Sequence, residues 1–453
     1  MMQYKSPFGP IPRHWTVARL RDLTSKIGSG ATPRGGEKAY LQKRQNYALI
    51  RSQSVHDRYF DTSSVSFITD DQAHSLRNAE VKDGDILLNI TGDGVTFARS
   101  TIVPNRVLPA CVNQHVAIVR PVPTLADAQY LMSFLASPEV KSYIEGFNAG
   151  GSRRAITKGH IESFEMPLPP LAEQEAIGSI LSSLDDKIEL NRRMNETLET
   201  MAQAIFRDWF VDFGPTRRKL EGATDPVAIM GGLVQDAERA QALADLLPAV
   251  LGDDGVPEGW HTKGLDEIAD FLNGIALQKY PAADGEDSLP VIKIAELRSG
   301  ITPKSGRASP SVPQKYIIHD RDFLFSWSGS LLAKFWTDGV GALNQHLFKV
   351  SSAVYPNWFF AHWIYYHMPE FQRIAASKAT TMGHIQRSHL SAAQIICPHP
   401  ATIEKMGEII QPIVDRTIHN DLESRTLTST RDLILPKLMS GEIRLDEAIE
   451  AAA

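Results

Sequence analysis

A long-period repeat constrains this chain more than any other feature. Ala172 and Ala401, Glu175 and Glu404, Ile180 and Ile409, Asp186 and Asp415, Asn191 and Asn420, and Leu198 and Leu427 all stand 229 positions apart, in a register that holds without a gap. Upstream the correspondence continues with small insertions. IPRHW at 11–15 answers VPEGW at 256–260, GDILLNITG at 84–92 answers RDFLFSWSG at 321–329, and VNQHV at 112–116 answers LNQHL at 343–347. Ile156 and Ile161 answer Ile385 and Leu390, before the proline stops MPLPP and CPHP. A period this long means that the chain folds as two copies of one unit. At 453 residues each copy is large enough for its own core.

Each copy opens on Pro-x-x-Trp and continues through a variable stretch with short β-rich runs. These are NYALI, VSFITD, DILLNI and VAIVRP in the first copy and LPVIKI, YIIHD and FLFSW in the second, bounded by turn signals such as KDGD, TGDG and TDGVG. Short helices are expected at 124–145 and 357–375. The pattern predicts a mixed α/β or α+β domain with a curved, mostly antiparallel sheet.

After each proline stop the breakers thin out. Ile177, Leu181, Leu184, Ile188, Leu198, Ala202, Ile205 and Trp209 follow steps of four and three, with Asn191 and Asn195 in the two intervening slots. This is a coiled-coil seam, and buried polar residues in one fix register and partner at a cost in stability. The second copy offers Met406, Ile410, Ile413, Leu427, Ile434 and Leu438, expected to be weaker because Thr417, Asn420, Ser424 and Arg431 interrupt it. Each helix is the other's natural partner. A helix of about 39 residues is roughly 58 Å long, on the order of 17 base pairs of DNA, so an antiparallel pair would serve as a rigid spacer between two globular domains. The expected order is a first domain at 1–168, a spacer helix at 169–213, a connector at 214–255, a second domain at 256–399, a second spacer helix at 400–440 and a tail at 441–453. Within the connector, GPTRRKLEG is expected to be turn-like and 225–250 to form short helices.

The net charge of -6 argues against a phosphate-rich partner until it is divided by region. Residues 1–170 carry +5, 171–255 carry -8, 256–400 carry +1 and 401–453 carry -4, and residues 1–60 alone hold 11 basic against 3 acidic side chains. A local basic face is therefore available on an acidic chain. Basic residues beside turns are the candidate DNA contacts: Arg34, Lys38, Lys43, Arg44, Arg51, Arg153, Arg154 and Lys158 in the first copy, and Lys279, Lys293, Arg298, Lys304, Arg307, Lys378 and Arg387 in the second. Such loops can present arginine forks to guanine edges and lysines to phosphate.

Motifs of chemistry fail where they are sought. GSGATPRGG at 28–36 lacks the Gly-Lys-Ser/Thr ending of a phosphate loop. There is no G-x-G-x-x-G after a strand, no Asn/Asp-Pro-Pro-aromatic run of an amino-methyltransferase, no H-E-x-x-H and no G-x-S-x-G elbow. His115 and His346, each flanked by apolar residues, are expected to be hydrogen-bonded structural residues in equivalent positions. Cys111 and Cys397 sit in apolar runs and are expected to be packed thiols, with no metal site. No apolar stretch is long enough for a membrane span, and the start MMQYKSPFGPIPRHW lacks a secretory layout, so a cytoplasmic location is expected.

The segment MPLPPLAEQEAIGSILSSLDDKIELNRRMNETLETMAQAIFRDWFVDFGP at 166–215, the VPEGW opening of the second half and DLILPKLMSGEIRL at 432–445 resemble the specificity subunit of type I restriction-modification systems. With the repeats, the resemblance covers nearly the whole chain. It implies two target-recognition domains, each reading one half of a split double-stranded DNA site, with two antiparallel helices setting the gap. It further implies docking of two methyltransferase subunits that carry S-adenosylmethionine and methylate adenine, and of motor-nuclease subunits that use ATP and Mg. This chain would then hold no cofactor and catalyse nothing. A stand-alone nuclease-methyltransferase fusion would need the motifs that are missing, and a protein-binding scaffold is the third reading. The second copy departs from the family pattern at CPHPATIEKMGE, where the Pro-Leu-Pro-Pro and Glu-Gln run is degraded.

Overall fold

A computed structural model describes residues 8–92, 96–147, 154–283, 285, 287–377 and 383–443. The chain divides into two units, one formed by 1–190 with 426–453 and the other by 191–425.

In the first unit, Thr24–Ser29, Val116–Pro121, Ile86–Asn89 and Ser100–Ile102 form a four-stranded antiparallel sheet in that order. A second sheet runs Ser66–Ile68, Tyr47–Ile50, Ala110–Val112, Glu80–Val81, with its central pair parallel. The short ribbon Thr16–Arg19 with Glu165–Leu168 brings the start of the unit to the proline stop. Strand Ile86–Asn89 shows how the sequence produces these layers. Alternate side chains point to opposite faces of a strand, so Ile86 and Leu88 join the core around Trp15, Tyr130 and Phe134. Leu87 instead joins the core of Leu49, Val116 and Ile118.

The second unit repeats this plan. Its antiparallel sheet is Asp270–Asn273, Leu347–Ser351, Phe323–Ser326, Ala333–Phe335, and its mixed sheet is Arg307–Ala308, Leu289–Ile292, Gly341–Leu343, Ile317–Ile318, again with a parallel central pair. The ribbon is His261–Gly264 with Gln394–Cys397. The expected mixed α/β class and the duplication are both present, and the single sheet expected of each copy is two sheets. Apolar alternation reveals strands but not which of them pair.

The short helices expected within 124–145 are Ala128–Leu135 capped by Asp127 and Pro138–Glu145 capped by Ser137 with proline in its first turn. Their counterpart Asn357–Ser377 is continuous. The long helices are Leu171–Phe206 and Pro400–Ser440, the first ending in a π-helical turn at Arg207–Val211. Each contributes to both units.

Of the expected pairing residues, Ile177, Leu181, Leu184, Ile205, Ile410 and Ile434 are buried, while Ile188, Leu198, Ile413 and Leu427 are half-buried. In the first unit Ile177, Leu181 and Leu184 share a core with Ile434, Leu435 and Leu438. In the second unit Asn191 Nδ2 donates to Glu423 Oε2 at 2.7 Å, Ser424 Oγ at 3.3 Å and Asn420 O at 3.4 Å. One turn on, Asn195 Nδ2 donates to Asp421 Oδ1 at 2.7 Å and Thr417 O at 3.0 Å, and Asn420 Nδ2 donates to Asn195 Oδ1 at 2.8 Å. The partner numbers fall as those of the first helix rise, so the pair is antiparallel. Asn191 and Asn420, matched in the repeat, meet each other. Asn420 and Ser424 are therefore side-chain or backbone partners of the first helix's asparagines rather than interruptions of an apolar seam, whereas the Thr417 hydroxyl donates to Ile413 O of its own helix. Arg431 likewise meets Asp185 at 2.7 Å in the first unit.

The connector departs from expectation at GPTRRKLEG, which is mainly the helix Gly214–Leu220, started by Pro215 in its first turn. Two of its three basic residues turn inward. Arg218 forks onto Asp208 at 2.7 and 3.0 Å, and Lys219 Nζ donates to Ala244 O and Leu247 O at the C-terminal end of helix Ala237–Asp245. Both cysteines are buried free thiols, as expected, and burial pushes Cys111 up to about 11.

Candidate nucleic-acid interface

In each unit the Asn-Gln-His segment is the turn that carries the chain from the mixed sheet to the antiparallel one. Asn113 and Asn344 are buried and hold it. The His115 N–H donates to Asn113 Oδ1 at 3.0 Å, and the His346 N–H donates to Asn344 Oδ1 at 3.3 Å. Asn113 N donates to Ile50 O at 3.0 Å and Asn344 N to Ile292 O at 3.1 Å, placing Arg51 and Lys293 as the next residue in corresponding positions. Ile90 N reaches His115 O and Trp327 N reaches His346 O. Ile156 N reaches Ile90 O and Ile385 N reaches Trp327 O. A glycine ends the neighbouring strand in both units because nothing larger fits. A Cβ on Gly30 would lie 1.7 Å from Val112 O, and one on Gly274 would lie 2.2 Å from Asn344 O. His115 and His346 thus occupy equivalent places.

The cations around these turns differ in what they are free to do. Arg34, Lys38 and Lys43 are exposed near the start of the first unit. Arg44 is committed elsewhere, its guanidinium donating to the carbonyls of Asn46, Arg106, Val107 and Leu108 at 2.9 to 3.2 Å. Arg51 pairs with Glu37 at 2.8 Å and lies over the Tyr40 ring. Arg154 pairs with Glu145, and Lys158 with Glu162 at 3.4 Å. In the second unit Lys279, Lys293, Arg298, Lys304, Arg307 and Arg387 are exposed. Lys293 and Arg307 line one groove of about 630 Å³ together with Asn344, Gln278 and Ser288, and Arg307 donates there to Ser288 Oγ at 2.9 Å and Ser288 O at 2.6 Å. Arg298 lines a different hollow with Gly329, Ser330 and Gln372. Arg387 donates to Phe271 O at 3.0 Å and lies over the Phe348 ring. Arg153 and Lys378 lie outside the described residues. The structure thus brings Lys293 and Arg307 together beside the second turn and disperses most of the others. Spacing along the chain cannot reveal which arginines are spent on carbonyls.

Each unit also ties its globular part to a long helix through charge. In the first, Asp185 accepts from Arg58 Nη1 at 2.9 Å and Arg431 Nη1 at 2.7 Å, all three side chains nearly buried at 10, 6 and 14% exposure. Arg58 takes φ +60° to reach it. In the second, Arg425 forks onto Asp320 at 2.8 and 2.9 Å. Burial opposes the ionised carboxylate there, but hydrogen bonds from Arg425 and the Gly339 N–H outweigh it and hold Asp320 below its ordinary value. Sequence reasoning missed both ties, since residues 127 positions apart give no spacing signal.

Among the described residues no group of His, Cys, Asp and Glu is placed to hold a metal ion, and no helix is long and apolar enough to cross a membrane. The sequence signature of the type I restriction modification DNA specificity domain matches residues 12–200 and again 257–426. The chain is 22% identical to the type I restriction enzyme MjaIX specificity subunit of Methanocaldococcus jannaschii, over 98% of this chain and 96% of that one. It is 26% identical to the HindI specificity subunit of Haemophilus influenzae, over 88% and 94%. A crystal structure of the type I restriction-modification S subunit from M. genitalium shares the fold, with TM-score 0.53, 13% identity and coverage of 96% and 98%. The chain belongs to the type I restriction-modification DNA specificity family. It is a DNA-recognition subunit, not a catalytic one.

Proposed function

We propose that each unit reads one half of a split double-stranded DNA site and that the helix pair sets the unread gap between the halves. One observation carries this reading: two copies of one fold, with the same strand order and the same turn, present different side chains around it. In the second unit Lys293 and Arg307 share a groove; in the first, Arg51 and Arg154 are paired with glutamates. A reader of one symmetric sequence would gain nothing from such divergence, whereas a reader of two different half-sites requires it.

On this reading residues 1–168 and 256–399 are the target-recognition domains, 169–213 and 400–440 the spacers, 214–255 the connector and 441–453 a tail. The helix ends dock two methyltransferase subunits, which bring S-adenosylmethionine and methylate adenine. Motor-nuclease subunits bring ATP and Mg, and the assembly works in the cytoplasm with the genome. The test is to map methylated adenines in host DNA with and without the gene. Two short blocks separated by a fixed unread gap are expected to disappear with the gene; one contiguous block, or an unchanged map, contradicts the reading.

A further inference from the structure

Both turns carry a hydrogen-bonded relay that a turn does not need. Asn113 and Asn344 already hold the backbone, yet each is followed by a glutamine and a histidine arranged alike. The Gln114 amide N–H donates to His115 Nε2 at 3.2 Å, which leaves the ring proton on Nδ1 to donate to Thr91 Oγ1 at 2.6 Å. The Gln345 amide donates to His346 Nε2 at 3.4 Å, and His346 Nδ1–H donates to Ser328 Oγ at 3.0 Å. A threonine in one unit and a serine in the other keep the hydroxyl and nothing else. The second amide hydrogen of each glutamine has no acceptor among the described residues. Gln114 is exposed and its Oε1 accepts from Thr32. A cation stands one residue beyond the strand that anchors each turn, Arg51 in one and Lys293 in the other, and Lys293 lines the same groove as Asn344.

We propose that these two turns are backbone-phosphate contacts, one in each half-site, with the side-chain amides of Gln114 and Gln345 as donors. The proposal rests on the half-site reading above. Two units that read different bases can share a contact only with what both half-sites share, and that is the sugar-phosphate backbone, for which neutral amide donors are common partners. Such contacts set register without carrying sequence information, which explains why the relay is the same in units whose surroundings differ.

The experiment uses the complete chain with its methyltransferase partners and a duplex bearing its mapped site. Gln114→Glu adds a charge at an exposed position, so the fold is spared, and Gln241→Glu on helix Ala237–Asp245 adds the same charge elsewhere as a control. Gln114→Glu is expected to weaken binding about tenfold, without changing which bases are methylated. Replacing phosphates one at a time by neutral methylphosphonates should identify one linkage, in the first unit's half-site, whose neutralisation weakens the unaltered complex but restores the variant. Gln345→Glu should identify the corresponding linkage in the other half-site. The proposal is overturned if Gln114→Glu binds as Gln241→Glu does, if it changes the methylated sequence, or if it loses the methyltransferase subunits instead of DNA. A wild-type complex with no preference for the mapped site overturns the half-site reading and the proposal with it.

Discussion

The two units solve the same packing problems with different chemistry, and the differences separate what the fold requires from what it tolerates. At position 174 the first long helix carries a buried glutamine that accepts from Asp127 N and donates to Leu125 O and Pro169 O, clasping the proline stop. The matching residue of the second helix is Ile403, equally buried, and the clasp becomes apolar contact. Four residues further on both helices keep glycine, because a Cβ would lie 2.4 Å from Asp127 Oδ1 at Gly178 and 2.9 Å from Trp358 Nε1 at Gly407. Close approach of a globular helix to the long helix is therefore fixed, while the side chains that seal the contact are free to drift. The degraded CPHPATIEKMGE sequence is the same junction sealed by apolar contact.

The charged ties test this contrast most severely. They have opposite polarity, with the carboxylate on the helix in the first unit and on the globular part in the second, and only the first is nearly buried. Removing the charge of Asp185 takes the paired carboxylate from buried Arg58 and leaves Arg431 with Asp432 alone, so Asp185→Asn should destabilise the first unit by about 3–5 kcal/mol. The more exposed Asp320→Asn should cost the second unit about 1 kcal/mol or less. Denaturant unfolding followed by hydrogen exchange in each unit measures both. Equal losses would mean that burial does not distinguish the ties.

A smaller, pH-dependent difference separates the helices that face the cores. His362 is buried in helix Asn357–Ser377 at the repeat position where the first unit has buried Ser133. Burial, only partly offset by the hydrogen bond from its Nδ1–H to Trp358 O at 2.7 Å, lowers His362 to about 4. As pH falls below about 6.5 the unfolded chain takes up a proton that the folded one refuses, so the second unit should lose roughly 2 kcal/mol by about pH 5 and roughly 3 by about pH 4. The first unit has only Ser133 there and lacks this term. Hydrogen exchange in the two units across that range should show the second opening first, and His362→Gln should remove its share of the difference. Parallel acid sensitivity in wild type and variant would contradict the assignment.

These differences also show what the sequence could disclose. The duplication, the long helices and the mixed α/β class were legible because periodicity and offset are properties of order along the chain. The equivalence of His115 and His346 was legible for the same reason. The partners of Arg44, the inward-facing Arg218 and Lys219, and the Asp185 tie were not, because each joins groups by geometry that spacing does not encode. Reading Asn420 and Ser424 as breaks in a seam was the instructive error. An apolar template treats every polar residue as a fault, whereas here Asn420 and Ser424 meet asparagines of the facing helix.

The most direct test of a chain with two independent readers is an exchange of one of them. Residues 20–150 are replaced by the corresponding segment of a relative, keeping Arg58 so that the tie to Asp185 survives, and methylated adenines are mapped in cells carrying the hybrid. If each unit reads its own half, one block of the methylated site changes to the relative's and the other block and the gap stay as they were. A folded, active hybrid whose site is unchanged, or altered in both blocks, would contradict it.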